Sequence, residues 1–510
     1  MSGIVLTRVR EGFYLDSVAL MRISQQVSAE PGVVEAAFLI GTPSNLELLA
    51  EAGLLGETAV QPTMGDLVLS VRAKDGTAAE AALTKAERLL ERPRFEGGSE
   101  PGGWEPATLR GALQALPEAN LALISVPGEF AAAEARKALQ AGLHVMLFSD
   151  NVPVEEELLL KEEARGKGLL MMGPDCGTAI LNGVPLGFAN AVPEGPIGII
   201  AASGTGCQEV ASLIARAGGG ISHAIGTGGR DLSAPVGGLT TLMAIGLLEE
   251  DPKTEHVILI SKPPDASVLR KVLERVGESP KPFTLCFIGT EPQVVPSNAT
   301  LAPTLAKAAN AALGRPAGPF VSIEKLAEGH KGGSGRIAGL FAGGTLCAEA
   351  QVVLLGRKFE VASNMPVPGA LPLAEATPNA HRLIDLGADE FTRGRPHPMI
   401  DPTFRDEQLR KILQDAEVSV VLLDIVLGFG SHPDPAGSVV AALGEAGRKR
   451  IPVVTSVCGT DGDPQNYSAQ VKKLREADVL VAPSNMLAAE LAARLVAPKS
   501  GQRKVVSHHA

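Results

Sequence analysis

The chain has 510 residues, which at roughly 150 residues per domain suggests three or four domains. Apolar residues make up 45% of it but aromatics only 3%, so its cores must be Ala, Val, Leu and Ile, cut by the turns that 57 Gly and 37 Pro provide. A net charge of −11, five cysteines with no C-x-x-C spacing and no apolar run of ~18 residues argue against a nucleic acid, a disulfide or metal framework, or a membrane span, and for a cytoplasmic chain.

Residues 1 to about 95 read as a small α/β domain. "GIVLTRV" is a strand, "LDSVALMRISQQVSA" a helix, "VVEAAFLIG" and "GDLVLSVRA" further strands, and "TAAEAALTKAERLLER" a closing helix. The Gly/Pro-rich "RPRFEGGSEPGGWEPA" at 92–107 reads as a linker. From 108 to 193, helices of 10 to 15 residues alternate with strands ("NLALISVPG", "LHVMLFSDNVP", "LLMMGPDCG"), the pattern of a doubly wound parallel sheet. Two further units of this flavodoxin-like or Rossmann-like kind follow, at 194–315 and 335–497.

Those last two units open alike. "GPIGIIAASGTGCQE" from Gly195 lies over "GRIAGLFAGGTLCAE" from Gly335, both fitting G-x-I, four residues, A-[SG]-G-T-x-C-x-E. Each is an aliphatic strand running through a Gly-Thr turn into a helix. A helix start carries unpaired N–H groups and partial positive charge, so its first turn binds anions. Ser203, Gly204, Thr205 and Gly206 in one copy, and Gly343, Gly344 and Thr345 in the other, are small enough to let phosphate reach the backbone. Glu209 and Glu349 follow four residues after each Thr. On the residues alone, a Ser or Thr before a helix is also an ordinary N-cap, and the glutamates are also read as capping or solvated carboxylates. Cys207 and Cys347 fall in the first turns, read as small residues facing the neighbouring strand.

The first copy, with "GTGGRDLS" and "EEDPKTEHVILI" after it and "ISVPGEFAAAEARKALQAG" and "GPDCGTA" before it, resembles the ligase part of the succinyl-CoA synthetase α subunit. The second copy, with "DLGADEFTRGR" and "VSVVLLDIVLGFGSHPD", resembles the carboxy-terminal domain of that enzyme's β subunit. The likeness covers roughly 108 to 497, with 108–193 similar to a degenerate CoA-binding domain. The whole arrangement is similar to the FdrA family, as are "REGFYLDSV" and the "GTPSN" turn at 41–45. In the synthetase, one helix from each subunit points its N-terminus at a single phosphate. The resemblance therefore implies one chain with both anion-binding helices on one shared site.

The chain departs from the synthetase in three ways. The stretch matching its phosphohistidine loop, "FTLCFIGTEPQVVPSNATLAPTLAKAANAAL", holds no His; no ATP-grasp region is evident; and the CoA-holding Gly-rich turn is replaced. Phosphate or carbamoyl phosphate is then the expected substrate, with no certain cofactor and CoA left open. The FdrA resemblance implies an oxamate carbamoyltransferase subunit in allantoin breakdown, working with other subunits or as a homo-oligomer on small anionic substrates. An NDP-forming acyl-CoA ligase subunit and a non-catalytic scaffold are the alternatives.

Glu209, Glu349 and His432 are the catalytic candidates, and His432 follows a strong strand in "GFGSHPDPAG". Arg230 in "GGRD" and Arg393 and Arg395 in "FTRGRPHP" could grip a substrate carboxylate bidentately. Asp424 ends its strand as a candidate buried carboxylate, and "CGTDGDPQN" reads mainly as an Asx-stabilised turn.

Overall fold

A computed structural model describes residues 3–496 apart from 14, 16, 57–60, 64, 92–105, 107, 291–292, 318–321, 331–332, 393–395 and 447–450. The linker expected at 92–107 lies almost wholly outside the described residues, as do Arg393 and Arg395. The fold is mixed α/β in two compact units, one drawn mainly from residues up to Asn120, the other holding 121–124, 132–388 and 397 onward.

In the amino-terminal unit three antiparallel strands form one sheet, with Leu67–Ala73 between Ile4–Arg10 and Val33–Ile40. Helices Ser17–Ser28 and Gly76–Glu91 cover one face, burying Ile23, Val27, Ala79 and Leu83 against Phe38, Leu69 and Val71. A third helix, Pro43–Glu51, escaped the sequence reading; Thr42 caps it by accepting from the Asn45 amide, with Pro43 preset at its first position.

The larger unit contains a three-stranded parallel sheet (Leu121–Ile124, His144–Leu147, Met171–Met172) and two seven-stranded sheets of Rossmann-like type. The two repeated strands, Glu194–Ala201 and Arg336–Phe341, each stand fourth of seven, at the centre. They are buried on both faces, which is why they read as aliphatic runs. Beside each, the chain switches direction across the sheet. Glu194–Ala201 lies between Ile221–Gly226 and His256–Ser261, and Arg336–Phe341 between His381–Asp385 and Val418–Val426. Both Gly-Thr turns therefore sit at the carboxyl end of a strand at a topological switch point, where open α/β sheets take their ligands.

One boundary differs from the sequence reading. The hairpin Thr178–Leu181/Val184–Gly187 precedes the expected boundary at 193 but joins the first seven-stranded sheet, pairing antiparallel with Ile221–Gly226. Its turn is Asn182–Gly183, both at positive φ (50° and 77°), the geometry of a two-residue hairpin turn. One hydrophobic cluster runs through both seven-stranded halves, joining Ile199, Cys207 and Ala211 to Leu346, Cys347, Ala350 and Leu491.

Candidate functional site

The two repeated turns meet. Ser203 caps helix Gly204–Arg216 by accepting from the Gly206 amide at 2.9 Å, and its hydroxyl lies 2.6 Å from that of Thr345 in the other turn. Glycines let the turns pack this tightly: a Cβ at Gly343 would lie 2.9 Å from Thr205 side-chain atoms, and one at Gly206 3.2 Å from the Thr345 methyl. Among the described residues, the first-turn amides of Gly204, Thr205, Gly344 and Thr345 have no protein acceptor. Two positive helix ends with open N–H groups thus converge, a ready seat for an anion.

The second turn is held differently. Gly343, at the cap position of helix Gly344–Gly356, has no side chain to cap with. Buried Asp424 instead accepts from the Ala342 and Gly343 amides, each at 2.7 Å. Burial raises its pKa to about 7 against the pull of those two bonds. Asp385, also buried, accepts from the Gly387 amide at 2.9 Å, and its Oδ2 lies 2.5 Å from where a Cβ on Gly344 would stand.

Glu209 and Glu349, expected among the catalytic groups, do other work. Both are 1% exposed, one turn into their helices, and each caps the last helix of the opposite half. Glu209 Oε1 accepts from the Asn485 amide, at the start of helix Asn485–Leu495 (3.1 Å). Glu349 Oε1 accepts from the Leu305 amide, at the start of helix Leu305–Leu313 (2.7 Å), and its Oε2 from Asn485 Nδ2 (2.8 Å). A carboxylate at a helix start complements the macrodipole, so the repeat's glutamates clasp the halves together. Burial, with the facing Glu209 adding to it, raises Glu349 to about 7; Glu209 is raised too, mainly by burial.

The other expected contacts are also committed. Arg230 spends its fork on Glu157 Oε2 (Nε, 3.0 Å) and the Val152 carbonyl (2.7 Å) rather than on an open site. It lies over a buried ion network in which Lys161 meets Glu157 at 2.9 Å and Asp231 at 2.7 Å. Asp231 in turn accepts from the Thr240 and Thr241 amides, so the "GGRD" loop caps helix Leu239–Glu250. His432 is half-buried, with Nδ1 accepting from the Asp434 amide at 3.1 Å; burial lowers its pKa, and no hydrogen bond links it to either turn among the described residues. Burial pushes Cys207 up to about 12 and Cys347 higher, so neither offers a thiolate.

Reading the sequence missed His397, which stands beside the second turn between two prolines in "RPHPM" and looks there like loop filler. Its Nδ1 accepts from the Met399 amide at 3.2 Å, and its ring lies 6.4 Å from that of Phe188. Asp385 ends the strand "HRLID" and opens "DLGADEFTRGR"; that position and that motif were the available signals for it.

Among the described residues no three His, Cys, Asp or Glu cluster to hold a metal, and no helix is long and apolar enough to cross a membrane.

A family model described as CoA-ligase matches residues 340–495, the segment holding the second turn, Asp385 and Asp424. A second, described as the AllF heavy metal-associated domain, matches residues 1–103. The uncharacterized protein YahF of Escherichia coli K12 is 43% identical over 500 residues, covering 94% of this chain and 96% of YahF. The succinate–CoA ligase [ADP-forming] subunit alpha 1 of Archaeoglobus fulgidus is 28% identical over 198 residues, 38% of this chain and 66% of that subunit. The ADP-forming sulfoacetate-CoA ligase subunit SauD of Bilophila wadsworthia is 28% identical over 151 residues, 28% and 50% respectively. The matches thus span half to two thirds of those two ligase subunits' own length.

The heavy metal in the amino-terminal family's description does not fit this chain. Residues 1–103 contain no Cys and no His, the ligands that soft metals select. Asp66, whose carboxylate reaches the first strand–helix turn, is spent on the Gly12 amide and on the amide and hydroxyl of Thr63. A carboxylate organises that loop where a metal site would need open donors. With YahF matched nearly end to end, and the second half carrying the CoA-ligase pattern at its central turn, the chain belongs to the family of YahF, a CoA-ligase-like family with an AllF-type amino-terminal domain.

Proposed function

We propose that the chain is an FdrA-type subunit catalysing phosphate-linked carbamoyl or acyl transfer, in the carbamoyl case as part of an oxamate carbamoyltransferase in allantoin breakdown. The observation that carries this reading is the meeting of the two helix starts, hydroxyl to hydroxyl at 2.6 Å, with four first-turn amides left open. A single helix N-terminus stabilises an anion by up to about 2 kcal/mol in a favourable, partly buried setting. Two converging on one phosphate add donors and exclude water, and so strengthen each contact.

In this reading the amides of Gly204, Thr205, Gly344 and Thr345, with the hydroxyls of Ser203 and Thr345, hold the phosphate of a carbamoyl phosphate. The acceptor's nitrogen attacks the carbamoyl carbon, the carbon–oxygen bond to phosphate breaks, and phosphate leaves with the bonding pair; the acceptor's proton goes to solvent. Charge gathers on the phosphate oxygens as that bond breaks, where the helix ends favour it most. The lack of a histidine in residues 283–313 accords with transfer that needs no phosphoenzyme. Cytoplasmic location, small anionic substrates and further protein subunits belong to the same proposal, as does the division at 1–95, 108–193, 194–315 and 335–497, with the hairpin Thr178–Leu181/Val184–Gly187 assigned to the third part.

The CoA-ligase match over residues 340–495 favours a second reading, an acyl-CoA ligase subunit working with chains that supply the nucleotide site and the phosphohistidine. A thermal-shift panel separates the two. Stabilisation by phosphate and carbamoyl phosphate alone supports transfer, stabilisation by CoA or ATP supports the ligase, and no response to any of them supports a scaffold.

A further inference from the structure

Beside the second turn, one small spot admits only glycine. A Cβ at Gly387 would lie 2.7 Å from His397 Nε2, 2.8 Å from the Ala342 carbonyl and 3.2 Å from Asp385 Oδ1. Ala342 immediately precedes the capping Gly343, and Asp385 Oδ2 crowds the Cα of Gly344. The imidazole edge is therefore brought to the rim of the second helix start by a residue with no side chain. We propose that His397 is the hydrogen-bond donor for the carbonyl oxygen of the group that the phosphate carries, and so sets the site's preference for a carbamoyl or acyl phosphate over bare phosphate. This rests on the phosphate-transfer reading above.

Three observations support a donor rather than a nucleophile or a base. Nδ1 accepts the Met399 amide, which assigns the ring proton to Nε2. Nε2 donates to no protein group among the described residues, so its N–H is available. Burial holds the ring's pKa down at about 4, so the imidazole is neutral near pH 7 and keeps that proton as a fixed donor. The Phe188 ring, itself 5.5 Å from that of Phe148, flanks the imidazole and limits its rotation. A preorganised neutral donor beside two helix ends suits a carbonyl whose oxygen gains charge while its carbon is attacked. An inorganic phosphate has no such carbonyl and should be indifferent to it.

Isothermal titration of the full chain with sodium phosphate and with carbamoyl phosphate separates the two ideas. The wild type is expected to bind both. His397→Ala should weaken carbamoyl phosphate about tenfold or more, roughly one lost hydrogen bond in a dry site, and leave phosphate unchanged. His397→Gln, which keeps an N–H donor, should recover most of that loss. Carbamoyl phosphate bound by His397→Ala as tightly as by the wild type overturns the inference. An equal loss of both ligands in a variant with wild-type melting also overturns it, since His397 would then only shape the phosphate seat. A wild type that binds phosphate but not carbamoyl phosphate sinks this inference alone, and one that binds neither sinks the phosphate reading itself.

Discussion

The two copies of the repeat share a pattern but are held in place by different chemistry. The first turn is local and partly open: Ser203 caps its own helix, and Ser203, Gly204 and Thr205 all retain some exposure. The second turn is nearly closed and depends on distant chain, with Asp424, 81 residues on, holding its amides and Asp385 against its Cα. A duplicated strand–turn–helix thus yields one self-sufficient wall of the seam and one wall propped by buried carboxylates. The comparison predicts that the second wall is the more fragile, and four perturbations test it.

Acidity should matter most. Glu349, which stands in the second copy and caps a helix of the first half, and Asp424, which holds the second turn, have folded pKa values of about 7, well above the usual carboxylate range. A raised folded pKa means stability that is full below the unfolded value and lost as pH rises through the folded one. The wild type should therefore lose on the order of a few kcal/mol between pH 5 and pH 8, measured by urea unfolding. Glu349→Gln should flatten that slope, because Gln cannot titrate and its oxygen still accepts from Leu305; with Asn485 Nδ2 held by the Leu346 carbonyl, the variant should bear the loss of the Asn485 contact equally at every pH. A slope unchanged in that variant removes Glu349 as its source.

Next, Asp424→Ala strands two buried amides and should cost about 2–4 kcal/mol, read from the shift in urea midpoint. Asp424→Asn, with one acceptor left, should cost less. A loss below about 0.5 kcal/mol in Asp424→Ala would mean that the second wall does not need its prop.

Third, the glycines should differ. Gly343→Ala drives a Cβ to within 2.9 Å of Thr205 and should cost about 1–3 kcal/mol, whereas Gly204→Ala meets only the Thr178 hydroxyl, at 3.3 Å, and should cost under about 1 kcal/mol. Equal melting temperatures for the two would contradict the asymmetry. Gly344→Val runs into Asp385, so a loss of ligand binding there must be judged beside its melting temperature. Ser203→Ala, which removes a cap and the Thr345 contact, should cost about 1 kcal/mol, less than the loss of the second wall's carboxylate prop.

What could be read from the sequence follows the same division between local and distant. The central strands were legible because burial on both faces writes them as aliphatic runs, and the turns because Gly-Thr interrupts those runs. The Asn182–Gly183 hairpin was equally legible, and was lost only because a parallel-sheet pattern surrounds it. The work of Glu209 was not: its partner Asn485 is 276 residues away, and nothing at position 209 says whether water or a helix start faces the carboxylate. Arg230 looked like an open guanidinium because its partners, Glu157 and Val152, lie in a different stretch of chain. His397 acquires meaning only from Gly387: that glycine belongs to "DLGADEFTRGR", but nothing in the motif says that its missing side chain admits an imidazole.

The central claim is one anion seat shared by both turns, and a phosphate titration of the full chain tests it most directly. The wild type should bind a single phosphate per chain, and Gly204→Val and Gly344→Val should each abolish that binding, the first with its melting temperature within a few degrees of wild type. Two independent phosphates per chain, or normal binding in either variant, would contradict the account.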